Sequence, residues 1–318
     1  MVVYIDDIII YSETWGDNLH YIDRVLSKCT PINLKISLEK WNFGQQELLA
    51  LGHKVSGLSM AIDQIKVAAV LKKPVPKSIK EMQYFLGFAS YYRDHINNFA
   101  HITSSLYKLC SKDVVFKLTQ ERRDAYERIK YELTNAPVII LPDFELLFKL
   151  YIDAACSQGL GAALHQRQIM DGEPRERVIC YISRQLKYSE ARYGATQTEC
   201  PCVVWALEKL HYYLEGAVFE VYTDCTAMKS LLNMKTTNRR MLRLQRAIQQ
   251  YRGNMTIIYK EGKSHTNEDG LSRWPLDNVK RNPAYEPEVA AKSPIHFMKI
   301  DRRKNFRFSE WAPGSDCK

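Results

Sequence analysis

The order of apolar segments after residue 146 constrains the fold more than any other feature of this sequence. Strand-like stretches come first, at residues 147–152, 159–164 and 178–182, and a long helical stretch follows at residues 196–214. Strands and helices then alternate, with strands at 219–223 and 255–259 and helices around 227–232 and 240–251. This order predicts an α/β domain whose mixed five-stranded sheet is packed by helices.

The first residues predict an apolar hairpin, with Asp6 and Asp7 between two strand-like runs that end near Tyr11. A hairpin needs neighbouring strands, so we expect the chain to start in the middle of a larger folded unit. Further along, Ser78 and Glu81 form a capping box that predicts the start of a helix. We predict segments at 1–62, 63–145 and 146–275, followed by a polar, basic and poorly ordered tail at 276–318.

Charge and cysteine content narrow the class of protein. The chain has 45 basic and 36 acidic residues, and the net charge of +9 suits a polyanionic partner such as nucleic acid. The 8 cysteines show no C-x-x-C spacing, which favours buried thiols in a reducing compartment over a zinc site. With no long apolar run and no basic leader, we expect an intracellular, cytoplasmic protein without a membrane partner, nuclear access being a second option.

Carboxylates at the boundaries of the predicted elements suggest metal chemistry. Asp153 ends a strand, Glu199 lies near the start of the long helix, Asp224 follows the fourth strand, and Asp269 opens a last short helix. Hydrolysis of a phosphodiester by two Mg²⁺ ions needs several carboxylates that converge on the ions. The set therefore predicts a two-metal site, with Mn²⁺ as the alternative ion.

Each carboxylate also has an ordinary structural interpretation. An Asp after a strand often forms a turn or caps a helix. Glu199 forms a capping box with Thr196, and Asp269 complements a helix dipole. The order of the four on their elements favours the metal site.

The same residues resemble the reverse transcriptase–ribonuclease H polyprotein of Ty3/gypsy-class retrotransposons. Tyr4-Ile5-Asp6-Asp7 is similar to the polymerase catalytic hairpin, and Leu51-Gly52-His53 to the primer-grip region. Phe85-Leu86-Gly87 and Ala136-Pro137-Val138 resemble the thumb and connecting segment. In the second half, the similar positions are Asp153-Ala154, Ser183-Arg184, Glu199, Thr223-Asp224 and Asp269-Gly270-Leu271-Ser272-Arg273.

The resemblance implies a ribonuclease H-like α/β fold, preceded by a truncated palm and a helical thumb and connection. It also implies that Asp153, Glu199, Asp224 and Asp269 bind the metal ions and cut the RNA strand of an RNA–DNA hybrid. The partners would be the hybrid, its phosphate backbone and other chains of a retrotransposon polyprotein. The basic side chains Arg239, Arg240, Arg243 and Arg246 either contact that backbone or form a solvated helix face.

Several positions depart from the family pattern. The upstream palm that supplies a further metal-binding aspartate beside Asp6 and Asp7 is missing, so DNA synthesis by this chain alone is not expected. Pro201 follows Glu199 closely, and Cys225 stands where the family commonly has histidine. Glu268 and Gly270 replace family alanines.

Three functions fit these observations. The chain is a ribonuclease H, a silent remnant that binds nucleic acid without cutting it, or part of a polymerase whose upstream palm comes from another chain. Cleavage of a labelled hybrid separates the first two, and rescue of primer extension by an upstream fragment identifies the third.

Overall fold

A computed structural model of the chain describes residues 1–37, 41–111, 114–153, 159–170, 172–187, 190, 195–225, 228, 239–260 and 295–299. The chain divides into two compact units. The first combines Met1–Met60 with Glu288–Lys318, and the second is Ala61–Pro287. The structure confirms the expected mixture of helices and sheets.

The secondary structure elements are numbered in chain order. The strands are β1 (Val2–Tyr4), β2 (Asp7–Tyr11), β3 (Asn42–Gln45), β4 (Glu47–Ala50), β5 (His53–Ser56), β6 (Ser59–Ile62), β7 (Ile139–Ile140), β8 (Phe148–Asp153), β9 (Leu160–Met170), β10 (Glu173–Arg184), β11 (Phe219–Thr223), β12 (Met255–Tyr259) and β13 (Ile295–Lys299). The helices are α1 (Trp15–Cys29), α2 (Gln64–Leu71), α3 (Ile79–Tyr91), α4 (Phe99–Ile102), α5 (Ser104–Leu109), α6 (Gln120–Thr134), α7 (Ala195–Lys209), α8 (His211–Leu214) and α9 (Arg239–Gln249).

The first unit contains a sheet in the order β1-β2-β13-β3. The predicted hairpin is present, and Ile5 in its turn has a positive φ of 54°. Helix α1 packs against β2 because Ile22 and Val25 share an apolar core with Ile8 and Ile10. Strand β13 pairs antiparallel with both β2 and β3, so a segment from the end of the sequence occupies an interior position of this sheet.

The second unit begins with the helices α2 to α6. Ser78 accepts a hydrogen bond from the backbone N–H of Glu81 at 3.3 Å, as the capping box predicts. Helix α3 buries the apolar face expected from its spacing, and α6 contributes to the same core. The buried side chains include Met82, Phe85, Leu86, Ala89, Tyr126, Ile129 and Leu133.

The second unit continues with a mixed sheet in the order β10-β9-β8-β11-β12, the five strands expected from the sequence. Strand β9 is antiparallel to β8 and β10, whereas β11 is parallel to both β8 and β12. Alternate residues Phe148, Leu150 and Ile152 of β8 face a buried core. Val203 and Leu207 of α7 lie in that core, so α7 covers this face of the sheet.

Hydrogen bonds tie the helical part of this unit to the end of β10. The guanidinium of Arg93 donates to the carbonyl oxygen of Ser183 at 2.7 Å. The backbone N–H of Ala100 donates to Ser183 Oγ at 2.9 Å, and Gln185 Nε2 donates to the Ala100 carbonyl at 3.4 Å. These hydrogen bonds therefore fix the end of β10 to the helical part of the second unit.

The structure departs from the sequence prediction in four elements, one of which is β10, longer at both ends than the predicted strand at residues 178–182. The helix predicted at residues 196–214 is interrupted at Leu210 and forms α7 and α8. Strand β9 extends well beyond residue 164, where the predicted strand ends. Strand β13 was not predicted and lies in the expected tail, whose other residues lie outside the described residues. Among the described helices, none has the length and apolar character needed to span a membrane.

Candidate metal-binding edge of the five-stranded sheet

The parallel pairing of β8 and β11 brings two of the predicted carboxylates to one edge of the sheet. The last registered pair is Tyr151 with Tyr222, and each aspartate lies two residues further along its chain. Asp153 and Asp224 are therefore level with each other at the carboxyl ends of neighbouring parallel strands. We call this end of the sheet the carboxylate edge. The side chain of Asp224 is exposed, whereas that of Asp153 lies outside the described residues.

A contact between two cysteines places helix α7 at the same edge. Cys200 Sγ lies 3.3 Å from Cys225 Sγ, and both side chains are buried. Cys200 follows Glu199 in the chain and Cys225 follows Asp224. The backbone of Glu199 is therefore close to the carboxyl end of β11, although the Glu199 side chain lies outside the described residues. Sequence reasoning predicted buried thiols here and did not predict their contact.

The start of α7 corrects the capping interpretation of Glu199. The helix begins at Ala195, one residue before Thr196, so Thr196 is not its N-cap residue. Glu199 is thus in the second turn of the helix rather than in a capping box. Pro201 lies inside the helix, where its ring removes a backbone donor.

The turn after β11 is fixed by hydrogen bonds. The backbone N–H of Cys225 donates to Thr223 Oγ1 at 3.1 Å, and Thr223 is buried. The backbone N–H of Lys260, directly after β12, donates to the Thr223 carbonyl at 3.1 Å. These bonds anchor the backbone on both sides of Asp224, which limits its movement at the carboxylate edge.

A pair of stacked tyrosines lies immediately before the two aspartates. The rings of Tyr151 and Tyr222 are 4.6 Å apart with an interplanar angle of 19°. Burial, followed by the hydrogen bond to Glu220, raises the pKa of Tyr222 to about 12, so this phenol stays neutral. Sequence reasoning missed this pair, although the spacing of two residues from each aspartate was a usable signal.

The residues brought together fit a hard divalent cation better than a soft one. The predicted donors at the carboxylate edge are carboxylates, which Mg²⁺ prefers, and the two thiols are buried beneath the edge. Among the described residues, no group of three His, Cys, Asp or Glu side chains is close enough to hold a metal. Asp269 lies outside the described residues, as do the side chains of Asp153 and Glu199.

Helix α9 carries the predicted arginines. Arg239, Arg243 and Arg246 are exposed and recur at helical spacing on one face. Leu244 and Ile248 are buried on another face, and α9 packs against α7. The side chain of Arg240 lies outside the described residues.

The polymerase-like residues lie in the first unit. Asp6 is in the β1–β2 turn and Asp7 begins β2. Both side chains are partly buried. Among the described residues, neither belongs to a cluster that could hold a metal ion.

Comparison with known proteins supports the assignment of the sheet. The sequence profile described as "RNase H-like domain found in reverse transcriptase" matches residues 143–251. The foamy viral protease-reverse transcriptase in complex with RNA/DNA hybrid superposes with a TM-score of 0.65 at 19% identity, covering 87% of this chain and 37% of that chain. The same viral protein in complex with double-stranded DNA gives a TM-score of 0.62 at 19% identity, covering 78% of this chain and 52% of that chain. These structures show the fold.

Sequence relatives identify the family. The Pol polyprotein from transposon gypsy of Drosophila melanogaster is 34% identical over 294 residues, which are 88% of this chain and 27% of the relative. The Pol polyprotein from transposon opus of the same fly is 33% identical over 285 residues, 86% of this chain and 28% of the relative. The chain thus spans about a quarter of the length of these curated relatives. It belongs to the Pol polyproteins of gypsy-type retrotransposons and includes their ribonuclease H-like domain.

Proposed function

We propose that this chain hydrolyses the RNA strand of RNA–DNA hybrids at the carboxylate edge. Asp153, Glu199, Asp224 and Asp269 would hold two Mg²⁺ ions there, with Mn²⁺ as the alternative. The observation that carries the proposal is the approach of Cys200 Sγ and Cys225 Sγ to 3.3 Å. Together with the parallel register of β8 and β11, it supports the convergence of three of the four carboxylates from distant parts of the chain.

The residues of the chain have distinct tasks in this proposal. The bound ions would activate the attacking water and stabilise the leaving oxygen. The exposed carboxylate of Asp224 is accessible to a metal ion, which would in turn bind a substrate phosphate. The buried Thr223, bonded on both sides of the turn, keeps the backbone of Asp224 fixed as the substrate binds.

Helix α9 is the proposed contact for the hybrid backbone. Arg239, Arg243 and Arg246 form an exposed basic stripe on a helix that packs against α7, which carries Glu199. Contacts to phosphates position a nucleic acid without reading its sequence. A hybrid would be recognised by its A-like shape and 2′-hydroxyl groups. The likeness in fold to the foamy viral protein, whose structure was solved in complex with RNA/DNA hybrid, supports this class of substrate.

Replacement of the carboxylates tests the proposal. Asp153→Asn and Asp224→Asn remove a charged metal ligand while keeping the side-chain shape. Since bound metal stabilises the transition state by several kcal/mol, each change should lower the cleavage rate by about 100-fold or more. The measurement is single-turnover cleavage of a labelled RNA–DNA hybrid with Mg²⁺, beside a binding assay in which affinity for the hybrid stays largely intact.

The matched control is Glu220→Gln. Glu220 lies on the same strand as Asp224 but near its other end, where it accepts a hydrogen bond from Tyr222 at 2.6 Å. This variant should cut the hybrid at the wild-type rate. Retained cleavage in Asp153→Asn would refute the assigned site.

The second candidate is a protein that binds nucleic acid without cutting it. The proline inside α7 favours this alternative because it disturbs the helix close to Glu199. Wild-type chain that binds the hybrid in a salt-sensitive way but leaves it uncut with both Mg²⁺ and Mn²⁺ would establish this function instead.

A further inference from the structure

Arg184, the last residue of β10, forms a two-pronged ion pair with Glu190. Arg184 Nη1 lies 2.6 Å from Glu190 Oε2, and Arg184 Nη2 lies 2.9 Å from Glu190 Oε1. The backbone N–H of Lys187 also donates to Glu190 Oε2, at 2.8 Å. The side chains of Arg184 and Glu190 are only 24% and 20% exposed. This geometry fixes Glu190 to the end of β10, since paired charged hydrogen bonds are both strong and directional.

The same arginine contacts helix α7 directly. Its guanidinium carbon lies 5.4 Å from the centre of the Trp205 ring, within the range of a cation–π contact. Trp205 packs against the buried core under the sheet. Arg184 therefore contacts both Glu190, which precedes α7 in the chain, and Trp205, which lies in the second half of α7.

The backbone of Arg184 also lies close to Gly159, the first described residue after Asp153. Gly159 lies just before β9, and a Cβ atom at this position would be 2.8 Å from the Arg184 carbonyl oxygen. Its φ of +155° is a further reason why a larger residue would not fit. The neighbouring residue Ser183 is level with Asp153, because both pair with Gly161 of β9. The ion pair is thus located at the carboxylate edge.

The positive charge of Arg184 is paired with a carboxylate of the same protein. The hydrogen bond from Arg184 is the main cause that lowers the pKa of Glu190 to about 2, so the pair stays ionised at any ordinary assay pH. Arg184 Nη1 also donates to the carbonyl of Gln185 at 3.1 Å. A guanidinium bound in this way suits a structural role at the site better than a contact with phosphate.

We propose that Arg184 and Glu190 form a clamp that positions the start of helix α7, and with it Glu199, at the carboxylate edge. The inference rests on the proposed nuclease function and adds to it two positioning residues that do not bind metal. Only residues 191–194 separate Glu190 from the start of α7, so fixing Glu190 restricts where the helix begins. An error of about 1 Å in the placement of a functional group can cost about 100-fold in rate.

The clamp is tested by Glu190→Gln and Arg184→Lys. Gln keeps the shape of Glu190 without its charge. Lys keeps the positive charge of Arg184 but cannot form the paired hydrogen bonds of a guanidinium. We expect the Mg²⁺ concentration for half-maximal cleavage to rise about 10-fold in both, since partners that orient metal ligands have effects of this size. The KM for the hybrid should stay at the wild-type value. The double variant should show the same Mg²⁺ dependence as each single variant, because the two residues act as one unit.

A second readout needs neither metal nor substrate. Hydrogen exchange of the backbone amides at residues 195–200 should become faster in both variants, while the amides of β8 and β11 stay protected. The matched control is Glu173→Gln, which breaks the more exposed pair with Arg175 at the opposite end of β10. It should change neither exchange nor the Mg²⁺ dependence.

The outcomes separate this inference from the function on which it rests. If wild-type chain does not cut the hybrid, the nuclease proposal fails, and faster exchange at residues 195–200 still supports the clamp. If wild type cuts, Asp224→Asn does not, and both clamp variants behave like Glu173→Gln in both assays, the clamp is overturned. A raised KM for the hybrid with unchanged Mg²⁺ dependence would also overturn it, because Arg184 would then be a substrate contact.

Discussion

His165 is a partly buried titratable residue on the sheet face that also carries Tyr151. Its Nδ1 atom lies 3.6 Å from Glu176 Oε1, and Glu176 also accepts hydrogen bonds from Lys149 and Tyr151 at 2.7 and 2.6 Å. Burial is the main cause that lowers the pKa of His165 to about 4, against the opposing effect of Glu176. Burial raises the pKa of Glu176, but the hydrogen bonds from Lys149 and Tyr151 outweigh it and give a net decrease.

These pKa values predict that acid destabilises the second unit. Between pH 6.5 and about 4 the unfolded chain binds a proton at residue 165 that the folded chain does not bind. The free energy of unfolding should therefore decrease as the pH falls through this window. His165→Gln removes this contribution, so its free energy of unfolding should depend less on pH. Urea unfolding at several pH values measures the slope of the free energy of unfolding against pH in wild type and in His165→Gln.

The control for this change is His101→Gln, at an exposed histidine of α4. It should keep the wild-type slope. Equal slopes for wild type and His165→Gln would contradict the prediction. The lowered pKa of Glu176 makes a separate contribution: it stabilises the folded chain above the ordinary glutamate pKa of 4.5, and this stabilisation is lost as the pH falls below that value.

At the scale of elements, the sequence was most informative for short apolar strands between turn residues. Strands β11 and β12 have the predicted bounds. The prediction ended β9 too early because the second half of this strand is polar. Gln166 in that half is nevertheless fully buried. Gln166 Nε2 donates to the carbonyls of Asp143 and Leu146 at 2.6 and 3.0 Å. Burial of a polar side chain depends on partners distant in sequence, which periodicity does not reveal.

The sequence likewise predicted one part of the candidate site and not the other. The positions of Asp153 and Asp224 followed from strand ends, since the carboxyl ends of parallel neighbours meet at one edge. The contact between Cys200 and Cys225 and the pair of Arg184 and Glu190 were not predicted. Both depend on how α7 is placed over the sheet, and local sequence patterns do not determine that placement.

Helix α7 leads to a prediction about Pro201. Its ring removes the N–H that would bond the carbonyl of Gln197 and crowds that carbonyl. Pro201→Ala should therefore stabilise the protein, by about 1–3 kcal/mol after allowance for the greater freedom of the unfolded chain. Chemical denaturation measures the change.

The control is Pro174→Ala on β10. Strand β10 is at the edge of its sheet, where proline is tolerated, so this change should have little effect on stability. A Pro201→Ala protein that is less stable than wild type would show that the helix accommodates this proline without cost.

At the scale of the whole molecule, the first unit is assembled from both ends of the sequence. It contains Met1–Met60 and Glu288–Lys318, and the second unit lies between them in the chain. Strand β13 is the shared partner of β2 and β3. The sequence did not predict this arrangement because β13 is short, lies in a polar and proline-rich stretch, and pairs with strands that are far away in the chain.

Truncation tests the role of β13. A chain that ends at residue 287 lacks the strand between β2 and β3, so both lose their backbone partner there. Limited proteolysis should then cut within residues 1–60 about 10-fold faster than in wild type, because several backbone hydrogen bonds of about 0.5–1.5 kcal/mol each are lost. The control ends at residue 304 and keeps β13. Equal protection of residues 1–60 in both truncated chains would show that β13 does not stabilise this unit.

The position of β13 also determines when the first unit can be completed during translation. Strand β2 ends at Tyr11 and its partner begins at Ile295, so the ribosome adds 283 residues between them. At about 5–20 residues per second, this takes roughly 15–60 s. During that time the β2 edge of the nascent hairpin lacks its β13 partner, and an unpaired strand edge can pair with other chains.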